Sequence, residues 1–331
     1  MRILSIQSSV AYGYAGNSAA TFPLQRLGHE VWPVNTVHFS NHTGYGSFRG
    51  QVFAPSDVAD VVRGVGERGA FAATDVVLSG YLGSPGVAEV ALDAAAAVKA
   101  ANPSAVYCCD PVMGDVGKGM FVSRDLPELI RSRMLPAADV LTPNAFELAY
   151  LAGSGGDAAS AVPADVGTLD GILAAADRLR ALGPSVVLVT SIDDATSIHP
   201  VAGGSAGEGD TGKLFGRTDS RRGVPDTGSG AGPLGGDAAS IGMIAVDRSG
   251  AYLVRTPRLP LLANGAGDVT SALFVAHLKT AGIEAALART ASSVYGILAE
   301  TIRLDRVEIA LIAAQDAIAH PACEFPVTRL R

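Results

Sequence analysis

Four short stretches of the chain carry residue types suited to moving a phosphoryl group. Asn264–Leu278 reads NGAGDVTSALFVAHL, a glycine turn that runs into a helical pattern with an aspartate just behind it. Consecutive amides at such a turn can point one way, and the following helix aims the positive end of its dipole at the same spot. Gly265, Ala266 and Gly267 are therefore a candidate anion hole, and transferred phosphoryl oxygens are anions of the kind such a hole stabilises. Asp268 lies beside that hole, where it could take the proton of an attacking hydroxyl. Aspartate is also a good helix N-cap. On this motif alone the two readings stand level.

The second stretch is Cys109-Asp110-Pro111-Val112-Met113-Gly114-Asp115, in which Asp110 follows an apolar strand pattern and should project at its carboxyl end. Turn chemistry alone would also account for aspartate and glycine near a proline. The third is Thr142-Pro143-Asn144-Ala145-Phe146-Glu147, with Pro143 expected at a helix start and Glu147 on the first turn. If the units ending in Asp110 and Glu147 are neighbours, the two carboxylates suit a hydrated Mg²⁺, which takes one or two carboxylates plus phosphate oxygens. The fourth, Phe39-Ser40-Asn41-His42-Thr43-Gly44-Tyr45-Gly46, is polar, aromatic and glycine-rich. It reads either as a solvated loop or as a lip that closes over a small substrate.

The elements that must hold these stretches are legible as alternating patterns. Apolar, β-branched runs at Ile3–Ile6, Val31–Thr36, Val76–Ser79, Val106–Cys109, Val140–Leu141 and Val186–Thr190 predict strands. Ala-rich amphipathic stretches such as Val87–Ala101 and Leu169–Leu182 predict helices between them. In the last helix Val269, Ala272, Leu273 and Ala276 predict one buried stripe. Continuous apolar strands alternating with helices give an α/β fold, a mostly parallel central sheet with helices on both faces. Ligands then sit outside the carboxyl ends of the strands. Gln7-Ser8-Ser9, Ser79-Gly80, Asp110 and Thr142-Pro143-Asn144 are the polar or glycine-rich residues expected there.

Composition removes several function classes. The 331 residues are 48% hydrophobic, enough to bury a large core, and the net charge of −7 argues against a nucleic-acid surface. Three cysteines give neither a disulfide framework nor a zinc site. The start, MRILSIQSS, has no signal-peptide layout and no apolar run reaches membrane-spanning length, so a soluble, cytoplasmic protein is expected. One segment stands apart. Gly203–Gly236 holds 12 glycines and few large apolar residues, and reads as a flexible insertion of about 203–236. It yields two accidental phosphate-loop matches. Gly207–Lys213 fits GxxxxGK, but Leu214 stands where Ser or Thr must meet the metal; Gly230, Gly232 and Gly235 fit GxGxxG with Pro233 interrupting.

GAGD before a helix, DPVMGD after one strand and TPNAFE after the next resemble the ribokinase-like superfamily. Within it, SIQSSVAYGYAGNSAATFPLQRLG and VNTVHFSNHTGYG resemble the pyridoxal kinases. The likeness covers about residues 1–190 and 242–331, including EFPVTRL near the end. It implies a single ribokinase-like kinase domain over 1–331, a three-layer α/β/α sandwich with a small lip over the substrate. The implied reaction is ATP-dependent phosphorylation of the 5′-hydroxyl of pyridoxal, with Mg²⁺, a monovalent cation in some members, and a homodimeric assembly.

Carried over by motif, Asp268 resembles the catalytic base and Gly265, Ala266 and Gly267 the anion hole. Ser8 resembles the residue at the pyridine ring, Thr43 and Gly44 belong to the lip, and Tyr81 matches the aromatic position near the ring. Asp110, Thr142 and Glu147 resemble the nucleotide and Mg²⁺ site, and Thr190-Ser191 the ATP-contacting end of its strand. Some bacterial members carry lysine where Thr190 stands, so no lysine contact to phosphate is expected there. Asn264 replaces a residue that is usually apolar, and the nucleotide-covering loop falls near Arg255–Leu259. Two other readings share part of this pattern, a hydroxymethylpyrimidine kinase and a non-catalytic pyridoxal-binding protein.

Overall fold

The computed structural model describes residues 1–153, 164–193, 239–261 and 263–331. The glycine-rich insertion, both accidental phosphate-loop matches and most of Gly153–Gly167 lie outside the described residues. In chain order, β1 (Arg2–Val10), α1 (Asn17–Arg26), β2 (Glu30–Phe39), β3 (Gly50–Val52), α2 (Pro55–Glu67), β4 (Val76–Ser79) and α3 (Pro85–Ala101) build the first half. They are followed by β5 (Val106–Cys109), a two-strand hairpin β6 (Gly114–Asp115) and β7 (Gly119–Met120), α4 (Asp125–Leu129), α5 (Leu135–Ala137), β8 (Val140–Leu141) and α6 (Ala145–Leu151). The remainder is α7 (Leu169–Arg180), β9 (Val186–Asp193), β10 (Ser240–Asp247), β11 (Gly250–Pro257), α8 (Ala266–Ala281), α9 (Ile283–Arg303), α10 (Gln315–Ala319) and β12 (Val327–Arg329).

Ten strands form one sheet in the order β12-β11-β10-β9-β8-β5-β4-β1-β2-β3. The six strands from β2 to β9 run parallel, as the βα alternation requires. Period-two side-chain alternation sends each strand's residues to opposite cores. Leu4, Val77, Cys109, Leu141 and Val187 join one cluster with helices α2, α3, α4, α6 and α7. Ile3, Leu78, Cys108, Val140 and Leu188 join the other with α1, α8 and α9. This is the three-layer α/β/α arrangement, with both faces of the parallel region covered.

Four expectations need adjustment. β1 and β2 are longer than their apolar runs, so Gln7-Ser8-Ser9 lies inside β1 rather than after it. The first described residues beyond the insertion form β10 and β11, which with β12 from near the end of the chain make an antiparallel edge that the parallel pattern did not announce. Arg255–Leu259 is mostly strand, because β11 pairs with β10 as far as Pro257. Finally, α8 is not a one-stripe helix. Residues Val269–His277 are all buried, polar ones included, because the helix is covered by α1, α9 and the sheet.

Candidate active site

The parallel neighbours β4, β5, β8 and β9 bring the carboxyl-end residues into one row. Asp110 N–H donates to Ser79 O at 2.9 Å, Thr142 N–H to Cys109 O at 3.1 Å and Thr190 N–H to Pro143 O at 3.0 Å. The condition set by the sequence, that the Asp110 and Glu147 units be adjacent, is therefore met by β5 and β8. Asp110 and Thr142 are buried, and Ser271 of α8 reaches both: its Oγ lies 3.0 Å from Asp110 Oδ2 and 2.9 Å from Thr142 Oγ1. Ser271 was missed from sequence. Its only advance signal was its place one turn after Asp268 on the same helix, where residues three apart are neighbours.

Glu147 sits where expected, but it is heavily engaged. Asn144 rather than Pro143 begins the helix, as the N-cap, and Glu147 completes a capping box with it. Glu147 Oε2 accepts the Asn144 N–H at 2.9 Å and Oε1 accepts the Met113 N–H at 3.0 Å, so the carboxylate also holds the DPVMGD turn. Burial pushes its pKa up to about 8, against the pull of those amides. Asp110 is held well above the usual carboxylate range, first by burial and then by the charges of Glu147 and Asp268. A cluster of buried acids with this imbalance is what a hard cation relieves, and an all-oxygen donor set fits Mg²⁺. Among the described residues no three His, Cys, Asp or Glu side chains converge into a closed metal cage, so phosphate and water oxygens would complete the shell.

The glycine turn opens the question of Asp268 to direct inspection. Gly265 is the N-cap of α8, with no side-chain cap bond, and Asp268 is three residues further on. The aspartate is not the cap. Gly265 takes φ +84°, and a Cβ there would lie 2.3 Å from the Tyr14 carbonyl oxygen, so only glycine fits. Gly267, by contrast, is exposed, with nothing within 4 Å of a Cβ position there, and lies in the first turn of α8, where backbone N–H groups have no partner within the helix. Burial raises the Asp268 carboxyl to about 6, while the Gly16 amide and its own amide pull the other way. Gly16 in turn packs against Ser8, whose carbonyl and hydroxyl oxygens are 2.3 and 2.4 Å from the Cβ position at Gly16. Ser8, Gly16 and Asp268 are thus brought together across β1, the β1–α1 loop and α8.

The lip is a single 3₁₀ turn, Thr43–Tyr45, capped by His42, whose Nδ1 accepts the Gly44 N–H at 3.0 Å. That bond needs a neutral ring, and His42 is held below its usual pKa by burial and by the Lys118 ammonium, with Glu308 opposing. A Cβ at Gly44 would lie 2.9 Å from His42 Nδ1 and 3.9 Å from Asn264 Nδ2, which puts this turn beside the residue before Gly265. Tyr81 sits half-buried against Val10, Ala15, Val37 and Phe39, and its carbonyl accepts the Thr36 hydroxyl at 2.7 Å. Thr190 bridges to Asn144, and Ser191 beyond it has φ +56°, an uncommon backbone state for serine. Lys118 and Glu308 also escaped the sequence reading, because neither lies in a motif. Cys108 and Cys109 are buried with raised pKa values, so they are packing residues and not nucleophiles.

Comparison with known proteins follows the same lines. The chain is 50% identical over 331 residues to the pyridoxal kinase PdxY of Rubrobacter xylanophilus, covering 100% of this chain and 98% of that protein. The chain belongs to the pyridoxal kinase family. The family's PdxY protein from Leifsonia xyli is 47% identical, with 100% of both chains covered. A profile described as phosphomethylpyrimidine kinase matches residues 72–201. Among solved structures, the pyridoxal kinase of Leishmania donovani in complex with ADP and pyridoxine superposes with a TM-score of 0.78 at 25% identity, covering 100% of this chain and 99% of that one. The ribokinase-like fold of a pyridoxal kinase is therefore the fold of this chain, and the chain is an enzyme of that family.

Proposed function

We propose that this chain transfers the γ-phosphoryl group of ATP to the 5′-hydroxyl of pyridoxal, yielding pyridoxal 5′-phosphate and ADP. The observation that carries the reading is the first turn of α8, where Asp268, with its raised pKa, follows the exposed Gly267 and is reached by the Gly16 amide. Asp268 accepts the hydroxyl proton as the oxygen attacks the γ-phosphorus and the bond to the β,γ-bridging oxygen breaks. The amides of Gly265, Ala266 and Gly267 take up charge on the transferring oxygens. Ser8, Thr43, Gly44 and Tyr81 hold the pyridine ring, between β1, the lip and the end of β4. Asp110, Thr142, Glu147, Thr190 and Ser191 form the nucleotide side.

Of the two acids Asp110 is the one assigned to hold the metal, since Glu147 is engaged by the backbone amides of Asn144, Met113 and Gly114. Bound Mg²⁺ would neutralise phosphate charge next to Asp110. The chain reads as one kinase domain carrying the 203–236 insertion, working as a homodimer in the cytoplasm, with a monovalent cation as a further cofactor. No helix among the described residues is long and apolar enough to cross a membrane.

A hydroxymethylpyrimidine kinase is the second reading, favoured by the profile match over residues 72–201. That match leaves out the β1 and lip segments, which hold the substrate ring in the proposal. Purified protein with Mg·ATP, offered pyridoxal and hydroxymethylpyrimidine together, should phosphorylate pyridoxal. Turnover of the pyrimidine alone would overturn the proposal, and binding of pyridoxal without turnover would favour a binding protein.

A further inference from the structure

Glu308 lies in the segment 304–314 that follows α9, far in sequence from every motif above, yet both of its carboxylate oxygens point at the active site. Oε1 accepts the hydroxyl of Tyr45, the last residue of the lip turn. Oε2 accepts the Tyr14 N–H at 3.1 Å. The approach is made possible by Gly13, at φ +82°, where a Cβ would fall 2.2 Å from Oε2. Tyr12 adds an edge-on contact to the Tyr45 ring, with centroids 6.2 Å apart.

The backbone that Glu308 grips is the one beneath the catalytic turn. The Tyr14 carbonyl abuts Gly265, and two residues later the Gly16 amide reaches Asp268. One carboxylate therefore joins the lip above the substrate to the loop that orients the base below it. Among the described residues no lysine or arginine forms an ion pair with Glu308, so its two oxygens serve these two partners.

We propose that Glu308 is a positioning residue that clasps the substrate lip to the base-bearing loop. This rests on the reading of Thr43–Gly44 as the lip over pyridoxal. Admission of substrate needs the Tyr45–Glu308 bond to open, and its closure brings the lip and Asp268 into register in one step. Because a hydrogen bond to a charged acceptor is stronger than a neutral one, its loss should be visible in binding.

The test uses the full chain with Tyr45→Phe, Glu308→Ala, Glu308→Gln and the Tyr45→Phe/Glu308→Ala double variant. Trypsin cleavage after Arg49, in the exposed chain just beyond the lip, reads lip release without reference to catalysis. Tyr45→Phe and Glu308→Ala should each speed that cut several-fold. Each should also raise the pyridoxal Kd by about tenfold, leaving KM for ATP within about twofold of wild type. The double variant should be no worse than the worse single one, and Glu308→Gln, which keeps one acceptor oxygen, should fall between. Wild-type rates after Arg49, or effects that multiply in the double variant, would overturn the clasp. If Glu308→Ala does not fold, Tyr45→Phe carries the test alone. Should wild-type protein bind no pyridoxal, the substrate reading fails, while the tryptic rates still judge the clasp.

Discussion

Replacing Asp268 with Asn separates the chemistry of this site from its stability, because the two should move in opposite directions. The carboxyl rises from 3.8 to about 6 on burial. At pH 7 that leaves roughly nine in ten molecules with the base ionised, and at pH 5 only about one in ten. Wild-type kcat/KM should therefore climb about tenfold between pH 5 and 7, with its half-height near pH 6. The Asn variant cannot take the proton. A general base is worth about 10²–10⁴-fold, or roughly 3–5 kcal/mol of barrier, and the acid limb should vanish with it.

For stability the sign is reversed. A carboxyl with a raised folded-state pKa holds its proton longer in the folded chain. Stability is full below pH 3.8 and falls as pH rises towards 6. Taking 1.36 kcal/mol per pH unit, ionised Asp268 costs the fold at most about 3 kcal/mol at neutral pH. Asp268→Asn, which mimics the protonated state, should then gain about 1–3 kcal/mol at pH 7.5 and little at pH 4. The assay pairs a pH–rate profile with urea unfolding at both pH values. A variant that keeps turnover within tenfold, or retains the acid limb near pH 6, would refute Asp268 as the base. A variant that is less stable at pH 7.5 would refute the burial argument.

Three further outcomes follow from other parts of the site. Ser271→Ala removes the hydroxyl that joins Asp110 to Thr142 and should lower kcat/KM for ATP by about 5–30-fold, the equivalent of one or two hydrogen bonds, while pyridoxal binding is preserved; isothermal titration with each ligand separates the two. Gly265→Ala places a Cβ against the Tyr14 carbonyl at φ +84°, and should cost about 1–3 kcal/mol of stability by calorimetry and at least tenfold in kcat as the anion hole shifts. His277, whose Nε2 is buried without a hydrogen-bond partner, is lowered from 6.5 to about 4, chiefly by burial. It holds no penalty above pH 6.5, and the fold should lose roughly 2–3 kcal/mol as pH falls from 6.5 to 4; His277→Gln should flatten that part of the urea-midpoint curve.

The sequence carried the parallel half of the fold well. The bounds of β4, β5 and β8 coincide with their apolar runs, because those short strands are buried on both faces and polar or glycine residues end them at once. β1 and β2 run further than their apolar cores, since hydrogen bonding continues through polar residues such as Gln7 and His38. The edge strands β10–β12 were not foreseen, as they lie beyond the glycine-rich insertion, away from the βα rhythm. In the site, local motifs gave Asp110, Glu147 and Asp268 because each sits at an element end with its own turn chemistry. They gave no hint of Ser271 bridging to Asp110, or of Glu308 meeting Tyr14 and Tyr45. Those contacts span up to 294 residues and arise only from how the layers are stacked. The capping role of Glu147 was half visible, in its spacing from Asn144, while its bond to Met113 was not.

The all-round burial of α8 has a bearing on how this enzyme could change its diet. The helix carries the proposed anion hole, the proposed base and the Ser271 hydroxyl that bridges Asp110 and Thr142, and it is wedged between α1, α9 and the sheet. It serves as a fixed datum from which every reacting atom is measured. The groups proposed to meet the ring come instead from β1, the segment just after β4 and a three-residue turn at the surface. New acceptor alcohols are therefore best sought by redesigning Thr43 and the residues facing Tyr81, leaving the helix and the Tyr45–Glu308 bond untouched. Chemistry and taste are housed in separate parts of the chain, and Glu308 is the side chain proposed to join them.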